Sequence, residues 1–335
     1  MKGKSKIVIG ITDYVTPPPS IELEAYPNAD FRFLECGDDG ELVDFEALEE
    51  MDALLVWHAH INEKVVRSLK RAKIVVRYGV AYEDIDVEAL LKANIPFSNN
   101  PDYGTEEVAD TAATMILNIV REVGLYNANA RRIVSGWQEH THKQIQRTNT
   151  VTVGVVGVGC IGGAVVQRLK AFGCKIIGFD PYVSSGHGKS LGYEKVNTLE
   201  ELLTRSDIVS VNCPDNKETR GMIDEAFISK MKAGASLVNT ARGKIVSNLD
   251  IIYHAMRAGK LRSVALDVLS SEPPDMSHPL IAAWKSDEDW ISGRLTINPH
   301  AAYYSKEAWY EMRYKAAETA RLFIEQGILR NQIFE

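Results

Sequence analysis

The sequence predicts an α/β fold of parallel sheets divided between two domains. Three observations carry this. Short β-branched runs alternate with amphipathic stretches along most of the chain. One of those runs enters a glycine-rich turn of the kind that binds dinucleotides. And 335 residues are more than one core of ordinary size encloses.

The runs expected as strands are Lys6–Ile11, Ala53–Trp57, Ile74–Arg77, Thr152–Val156, Lys175–Asp180, Ile208–Cys213, Ser236–Asn239, Ser263–Asp267 and Thr296–Asn298. Helical spacing between many of them gives βαβ units. After Pro101-Asp102-Tyr103-Gly104, Val108, Ala112, Met115, Ile116, Ile119 and Val123 recur at helical spacing. Glu106 and Glu107 sit near the start of that helix, where acidic side chains suit the positive end of the dipole. A second helical stretch is expected through Tyr126–Ser135, followed by a polar segment over His140–Thr150. Pro17-Pro18-Pro19 reads as a stiff turn. Met276–Arg294, with Trp284, Trp290 and the acids Asp287, Glu288 and Asp289, reads as a locally packed surface loop; a lid edge or subunit contact is the alternative.

Composition removes several classes of function. The formal charge is −7 and no long basic run occurs, so a nucleic-acid partner is not indicated. Cys36, Cys160, Cys174 and Cys213 are far apart, with no CxxC or Cys/His cluster, which argues against a disulfide framework or zinc site and fits a reducing cytosol. His140 and His142 have the spacing of a metal pair on a strand but lack a third ligand, so no metal is expected. The N-terminus runs from Met1 into Ile7-Val8-Ile9 without room for a signal peptide, and no apolar run is long enough to span a bilayer. A cytoplasmic protein without a membrane partner is the expectation.

The cofactor site is the strongest local signal. Val153–Val156 leads into Gly157-Val158-Gly159-Cys160-Ile161-Gly162. In this pattern Gly157 allows the tight turn, Gly159 lets the backbone approach a pyrophosphate, and Gly162 permits close helix–strand packing. The following helix, with Val165, Val166, Leu169 and Phe172 on its apolar side, points its N-terminus at the phosphates. Asp180 lies 18 residues beyond Gly162, at the end of the next strand, where a carboxylate accepts from the ribose 2′-hydroxyl and repels a 2′-phosphate. NAD is therefore expected over NADP. Cys160 in the phosphate loop reads as a small packing residue.

Three later segments place polar residues at or just after strand ends, where open α/β sheets bind ligands. They are Asn239-Thr240-Ala241-Arg242-Gly243, Asp267-Val268 followed by Ser271-Glu272-Pro273, and Asn298-Pro299-His300-Ala301-Ala302. With Lys73–Gly79 ahead of them, these motifs run in the order found in the D-isomer-specific 2-hydroxyacid dehydrogenases, which the chain resembles over nearly its full length. Within that family it is most similar to the C-terminal binding protein branch.

The resemblance implies a reaction and a set of roles. The reaction is interconversion of a 2-keto acid and a D-2-hydroxy acid with NAD. Arg242 would hold the substrate carboxylate and polarise its carbonyl, for which a planar fork suits better than lysine. His300 would give and take the proton. Glu272 would bond to His300 and favour its charged form. Asp267 would accept from the nicotinamide carboxamide, with Thr240, Cys213 and Pro214 lining that half of the cofactor site. Trp57 and His58 match the family segment that faces substrate. For His58, contact with a polar substrate tail and an ordinary strand-end histidine both remain open.

The family's substrate loop usually reads arginine, any residue, glycine, any residue, glycine. Here Arg77-Tyr78-Gly79-Val80-Ala81 has alanine last. If that position needs a positive φ, alanine costs about 1 kcal/mol. Tyr78, Gly79 and Val80 are nonetheless expected at the substrate, the latter two through backbone amides. Tyr303 stands where the C-terminal binding proteins carry tryptophan, which alters the pocket.

The family architecture is a cofactor domain inserted into a flavodoxin-like substrate domain, both Rossmann-like. That gives a substrate domain over 1–102 and 299–335, the latter with a terminal helix through Glu307–Gln326, and a cofactor domain over 103–298. Crossovers near Pro101 and Pro299 would be hinges, and the long helix after Glu106 resembles the family's dimerisation arm, implying a homodimer. Two other functions stay in view. One is a nucleotide-sensing, partner-binding corepressor-like protein, for which the same motifs would be present. The other is a formate or phosphite substrate, and Glu272 speaks against formate because formate enzymes of this fold carry glutamine there.

Overall fold

The computed structural model describes residues 6–133, 137–139 and 145–334. His140 and His142 lie outside the described residues, as do Ser135 and Gly136. The chain divides into two compact units, one reaching to Gly104 and resuming at Tyr304, the other Thr105–Tyr303.

In the first unit the strands are β1 (Val8–Ile11), β2 (Asp30–Phe33), β3 (Ala53–Val56), β4 (Ile74–Arg77), β5 (Phe97–Ser98) and, near the end of the chain, β13 (Gln332–Ile333). Its helices are α1 (Ser20–Ala25), α2 (Phe45–Glu49), α3 (Glu63–Ser68), α4 (Val87–Lys92) and α13 (Lys306–Gln326). The described strands form one sheet in the order β13-β5-β4-β3-β1-β2. All neighbours are parallel except β13 and β5. The order β2-β1-β3-β4-β5 is that of flavodoxin-like sheets, with its topological switch between β1 and β3. Strands β1, β3 and β4 are buried throughout, which is why they read as unbroken apolar runs. The edge strand β2, Asp-Phe-Arg-Phe, is partly exposed and carries charge, so it gave no apolar signal. Asp44, Asn62, Asp86 and Ser305 cap α2, α3, α4 and α13 by accepting an amide three residues on.

Helices α1 and α13 are tied by a buried ion pair. Arg313 donates to both oxygens of Glu22, Nε to Oε1 at 2.7 Å and Nη2 to Oε2 at 2.5 Å. Tyr78 Oη adds a third hydrogen bond to Glu22 at 3.1 Å.

In the second unit, α5 (Thr105–Arg121) and α6 (Val123–Arg132) precede the sheet. Alternation then follows: β6 (Thr152–Val156), α7 (Cys160–Ala171), β7 (Lys175–Phe179), α8 (Ser185–Leu191), β8 (Glu194–Lys195), α9 (Leu199–Arg205) and β9 (Ile208–Val211). After these come α10 (Glu225–Lys230), β10 (Ala235–Asn239), α11 (Leu249–Arg257), β11 (Leu261–Leu266), α12 (Pro279–Lys285) and β12 (Leu295–Ile297). The described strands are all parallel, in the order β12-β11-β10-β9-β6-β7-β8. From β8 to β11 this is the Rossmann order, and its switch point lies between β6 and β9.

Two sequence expectations are corrected in this unit. The long helix does not continue through Val123: Glu122 takes a left-handed φ of 50° and splits it into α5 and α6. Glu122 is buried and pairs with Arg262, an interaction between distant residues that local periodicity does not register. Residues 276–294 are more than a loop. They contain α12, whose Leu280 and Ile281 are fully buried, and Trp284 and Trp290 pack against the same core. Among the described residues no helix is long and apolar enough to cross a membrane.

The Glu22–Arg313 pair generates a stability prediction. Replacing Glu22 by alanine strands a buried guanidinium and should cost about 3–5 kcal/mol. Replacing both partners with apolar residues of similar size should cost less than the sum of the single changes. Denaturant unfolding of the three variants measures this.

Candidate active site

The catalytic candidates meet within the second unit. Arg242 follows β10 in a turn braced by Asn239, whose Oδ1 accepts from the Ala241 amide and whose Nδ2 donates to the Arg242 carbonyl, both at 3.0 Å. A side chain on Gly243 would run into the Leu269 carbonyl, so that glycine lets the Arg242 turn lie directly on the segment leading to Glu272. Arg242 Nη1 donates to the Ala241 carbonyl at 2.7 Å, and the charge of Arg242 acts on Glu272.

Glu272 uses both oxygens. Oε1 accepts from the Leu269 amide at 2.7 Å, and Oε2 lies 2.8 Å from His300 Nδ1. Burial pushes the Glu272 carboxyl up, but the His300 hydrogen bond, the Leu269 amide and the charges of His300 and Arg242 together hold it below the ordinary value. His300 itself adopts a left-handed φ of 54°, costly for a residue with a side chain, and its amide donates to the Asp267 carbonyl at 2.8 Å. Both side chains remain partly open to solvent.

Asp267, expected to face a nicotinamide carboxamide, also braces the loop that carries His300. Its carboxylate, 1% exposed, accepts from the amides of Ala301 and Ala302 at 3.0–3.1 Å. Burial raises its pKa, against the lowering pull of those amides. These bonds also keep residues 299–303 with the second unit, so the crossing falls at Tyr303–Tyr304 rather than after Asn298. The Tyr303 ring stands edge-on to His300, with centroids 6.5 Å apart.

The three glycines of the turn have three different reasons. Gly157 has φ +82°, and a Cβ there would sit 2.7 Å from the Cys213 amide. A Cβ on Gly162 would overlap the Gly157 carbonyl. A Cβ on Gly159 would meet nothing within 4 Å, so the backbone there is open to a ligand. The first helical bond of α7 runs from Gly163 to the Gly159 carbonyl, which leaves the amides of Cys160, Ile161 and Gly162 without carbonyls behind them. Cys160 is exposed, and Ile161 leans on the core beside α7.

Asp180 comes to this turn: Oδ2 accepts from Val158 and Oδ1 from Tyr182, each at 2.9 Å. Every carboxylate oxygen keeps a second lone pair for a ribose hydroxyl. At the ends of β9 and β10, Asn212 Oδ1 and Thr240 Oγ1 are buried without a hydrogen-bond partner. Two orphaned polar oxygens at adjacent strand ends, the first at the Rossmann switch point, fit a polar ligand, and Asn212 was not singled out from sequence. Cys213 is buried behind Gly157, and burial pushes its thiol up to about 11, so it packs rather than reacts. Pro214 is exposed, and its carbonyl accepts from Thr219 at 2.5 Å.

In the first unit the loop after β4 is held by its carbonyls. Asn100 takes those of Tyr78 and Gly79, Asn99 that of Val80, and Arg77 Nε that of Ala81. The amides of Gly79 and Val80 donate to no acceptor among the described residues, as anion capture requires. Ala81 lies outside the left-handed region, so alanine costs nothing there. The Tyr78 side chain is a correction: it is fully buried against Glu22 and not available to a substrate. Trp57 is nearly buried, and His58 is exposed with Nδ1 3.5 Å from Asp13. Asn99, Asn100 and Asp13 carried no motif and were missed. Among the described residues no group of three metal-ligating side chains gathers.

Residues 113–302 match the family description "D-isomer specific 2-hydroxyacid dehydrogenase, NAD binding domain". A D-3-phosphoglycerate dehydrogenase of Methanocaldococcus jannaschii is 33% identical over 291 residues, covering 87% of this chain and 52% of that protein. The chain belongs to the D-isomer specific 2-hydroxyacid dehydrogenase family. It spans about half the length of the curated relatives it matches. Among solved structures, a D-lactate dehydrogenase of Aquifex aeolicus complexed with NAD and lactic acid is 26% identical with TM-score 0.79, covering 95% of both chains. A glyoxylate reductase of Paecilomyes thermophila is 26% identical with TM-score 0.81, covering 98% of both.

The depressed Glu272 carboxyl sets a pH prediction. Its stabilising link to His300 is fully present above the ordinary glutamate value of 4.5 and is lost as pH falls through the lower folded value. Stability should therefore drop on acidification across that window, and Glu272→Gln should flatten this part of the profile. Unfolding midpoints collected against pH measure it.

Proposed function

We propose that this member of the family is an NAD-dependent oxidoreductase that interconverts a 2-keto acid and a D-2-hydroxy acid. The observation that carries the reading is the Glu272–His300 pair, with Nδ1 of the imidazole 2.8 Å from a carboxylate whose other oxygen is fixed by a backbone amide. With Nδ1 so engaged, Nε2 is the nitrogen left to exchange a proton with the substrate oxygen. Arg242 holds the substrate carboxylate and polarises the carbonyl. When bound, NADH supplies the hydride to the carbonyl carbon while His300 supplies the proton to its oxygen; oxidation reverses both transfers.

The turn at Gly157–Gly162 and the open amides of α7 would hold the pyrophosphate, and Asp180 the adenosine ribose. Asn212 and Thr240 would satisfy their buried oxygens on the nicotinamide half. The free amides of Gly79 and Val80 support a part in substrate recognition for the first unit. Exposed Val123, Ile133 and Trp137 are where a second copy of the chain would dock; light scattering reads that state. Among the described residues no feature favours a partner-binding, corepressor-like role over catalysis.

NADH oxidation against a panel of 2-keto acids tests the activity. His300→Ala should lower turnover by a factor of about 100 or more while NADH still binds; near wild-type turnover would remove His300 from this role. Catalytic efficiency with NADH should greatly exceed that with NADPH, and Asp180 is misassigned if the two are equal.

A further inference from the structure

The first unit carries an aromatic surface at its own switch point. The strands β1 and β3 flank the switch, and each hands over at its carboxyl end to a ring, Tyr14 after β1 and Trp57 after β3. The two rings are stacked, with centroids 5.3 Å apart and planes 8° from parallel. Trp309 of α13 meets both edge-on, 5.6 Å from Tyr14 and 6.0 Å from Trp57. His58 stands nearly perpendicular to both, 5.3 Å from each. Trp57 is nearly buried, whereas Tyr14 is 58% exposed. The exposed part of the Tyr14 ring can take a further ring against it.

The arrangement is held rather than loose. The Asp13 carboxylate accepts from the amides of Trp57, His58 and Ala59 at 2.7–3.3 Å and from the Thr12 hydroxyl. Those bonds fix the backbone under Trp57 and the residue just before Tyr14. Tyr14 itself adopts φ +65°, a conformation that a tyrosine occupies only when its surroundings impose it.

The charge of the surrounding loops is equally specific. Residues 12–19, 57–61, 78–86 and 99–104 contain no lysine or arginine, but they include Asp13, Glu83, Asp84, Asp86 and Asp102. Arg77, at the end of β4, is buried, donates to the carbonyls of Ala81 and Val56, and lies over the Trp57 ring. Lys306, at the start of α13, lines a groove with Tyr310, Glu311 and Tyr314. These loops offer a substrate phosphate no lysine or arginine, and their histidines, His58 and His60, each already face a carboxylate, Asp13 and Glu41.

Distance agrees with an aromatic acid. The amides of Gly79 and Val80, open to a carboxylate, follow β4, and Tyr14 follows β1, with β3 between them. Two strand spacings make about 10 Å. A 2-keto acid with a benzyl-sized side chain spans such an interval, and a three-carbon acid leaves most of it empty.

We infer that the substrate is an unphosphorylated 2-keto acid with an aromatic side chain, and that Tyr14 and Trp309 are specificity residues that receive its ring. This rests on the dehydrogenase reading above. It separates the chain from relatives named for a phosphorylated acid.

The test pairs turnover with binding on the full chain. In NADH oxidation, kcat/KM for phenylpyruvate should exceed that for pyruvate and for 3-phosphohydroxypyruvate at least tenfold. Tyr14→Ala should lower the phenylpyruvate-to-pyruvate ratio at least tenfold, mainly through KM, and Tyr14→Phe should keep it. Higher efficiency with pyruvate or the phosphorylated acid, or a ratio untouched in Tyr14→Ala, would overturn the inference and leave the dehydrogenase standing. Calorimetric titration of D-phenyllactate with NADH present, where neither can react, reads recognition without turnover. Binding at least tenfold tighter than D-lactate, and weakened in Tyr14→Ala, supports the ring site even if no acid is reduced; that combination would defeat the dehydrogenase reading alone. Equal binding of the two acids would overturn the ring site.

Discussion

The buried carboxylate of Asp267 is the constraint on which the second unit's chemistry hangs. It lies just past β11, almost without solvent, and spends itself on the amides of Ala301 and Ala302. Its own carbonyl accepts from the His300 amide. A histidine at φ +54° is held there by groups on both sides of it rather than by its own preference. With the backbone so fixed, the imidazole reaches Glu272, and Glu272 is in turn pinned by Leu269. For the proton transfer proposed for His300 such support matters, because a reacting group must be held close to its productive geometry.

A shared topological rule places everything else. Both sheets are parallel, and both reverse their order once, between β1 and β3 in one unit and between β6 and β9 in the other. Strand ends diverge at such a point and leave a crevice. In the second unit it is lined by Gly157, Cys213 and the orphaned Asn212 oxygen. In the first it is lined by rings. Polar groups without partners in one crevice and aromatic faces in the other follow from the residues that β1, β3, β6 and β9 hand over to their loops.

Much of this was legible in the sequence. Buried parallel strands read as apolar runs, and the glycine turn is a local pattern whose steric reasons hold wherever a strand meets a helix this closely. Motif order around Arg242, Glu272 and His300 pointed to groups that the fold brings together. Other features were hidden. Edge strands β2, β8 and β13, and the two-residue β5 beside β13, are short or carry polar residues, so they lack an apolar signature. The break at Glu122 and the helix α12 depend on long-range packing, which propensity does not encode.

The sequence by itself determined the class of fold and the dinucleotide turn, and it nominated the acidic residue Asp180 and the three catalytic candidates. These are local patterns or residue types with few chemical uses. Tertiary structure decided where side chains spend their bonds. It turned Tyr78 inward to Glu22 and Arg313, gave Asp267 to the His300 loop, freed the amides of Gly79 and Val80, and stacked Tyr14 on Trp57. Each outcome joins residues tens to hundreds of positions apart. Hydrogen bonds and ring contacts are short-ranged, and only the folded chain sets which of those residues come within reach.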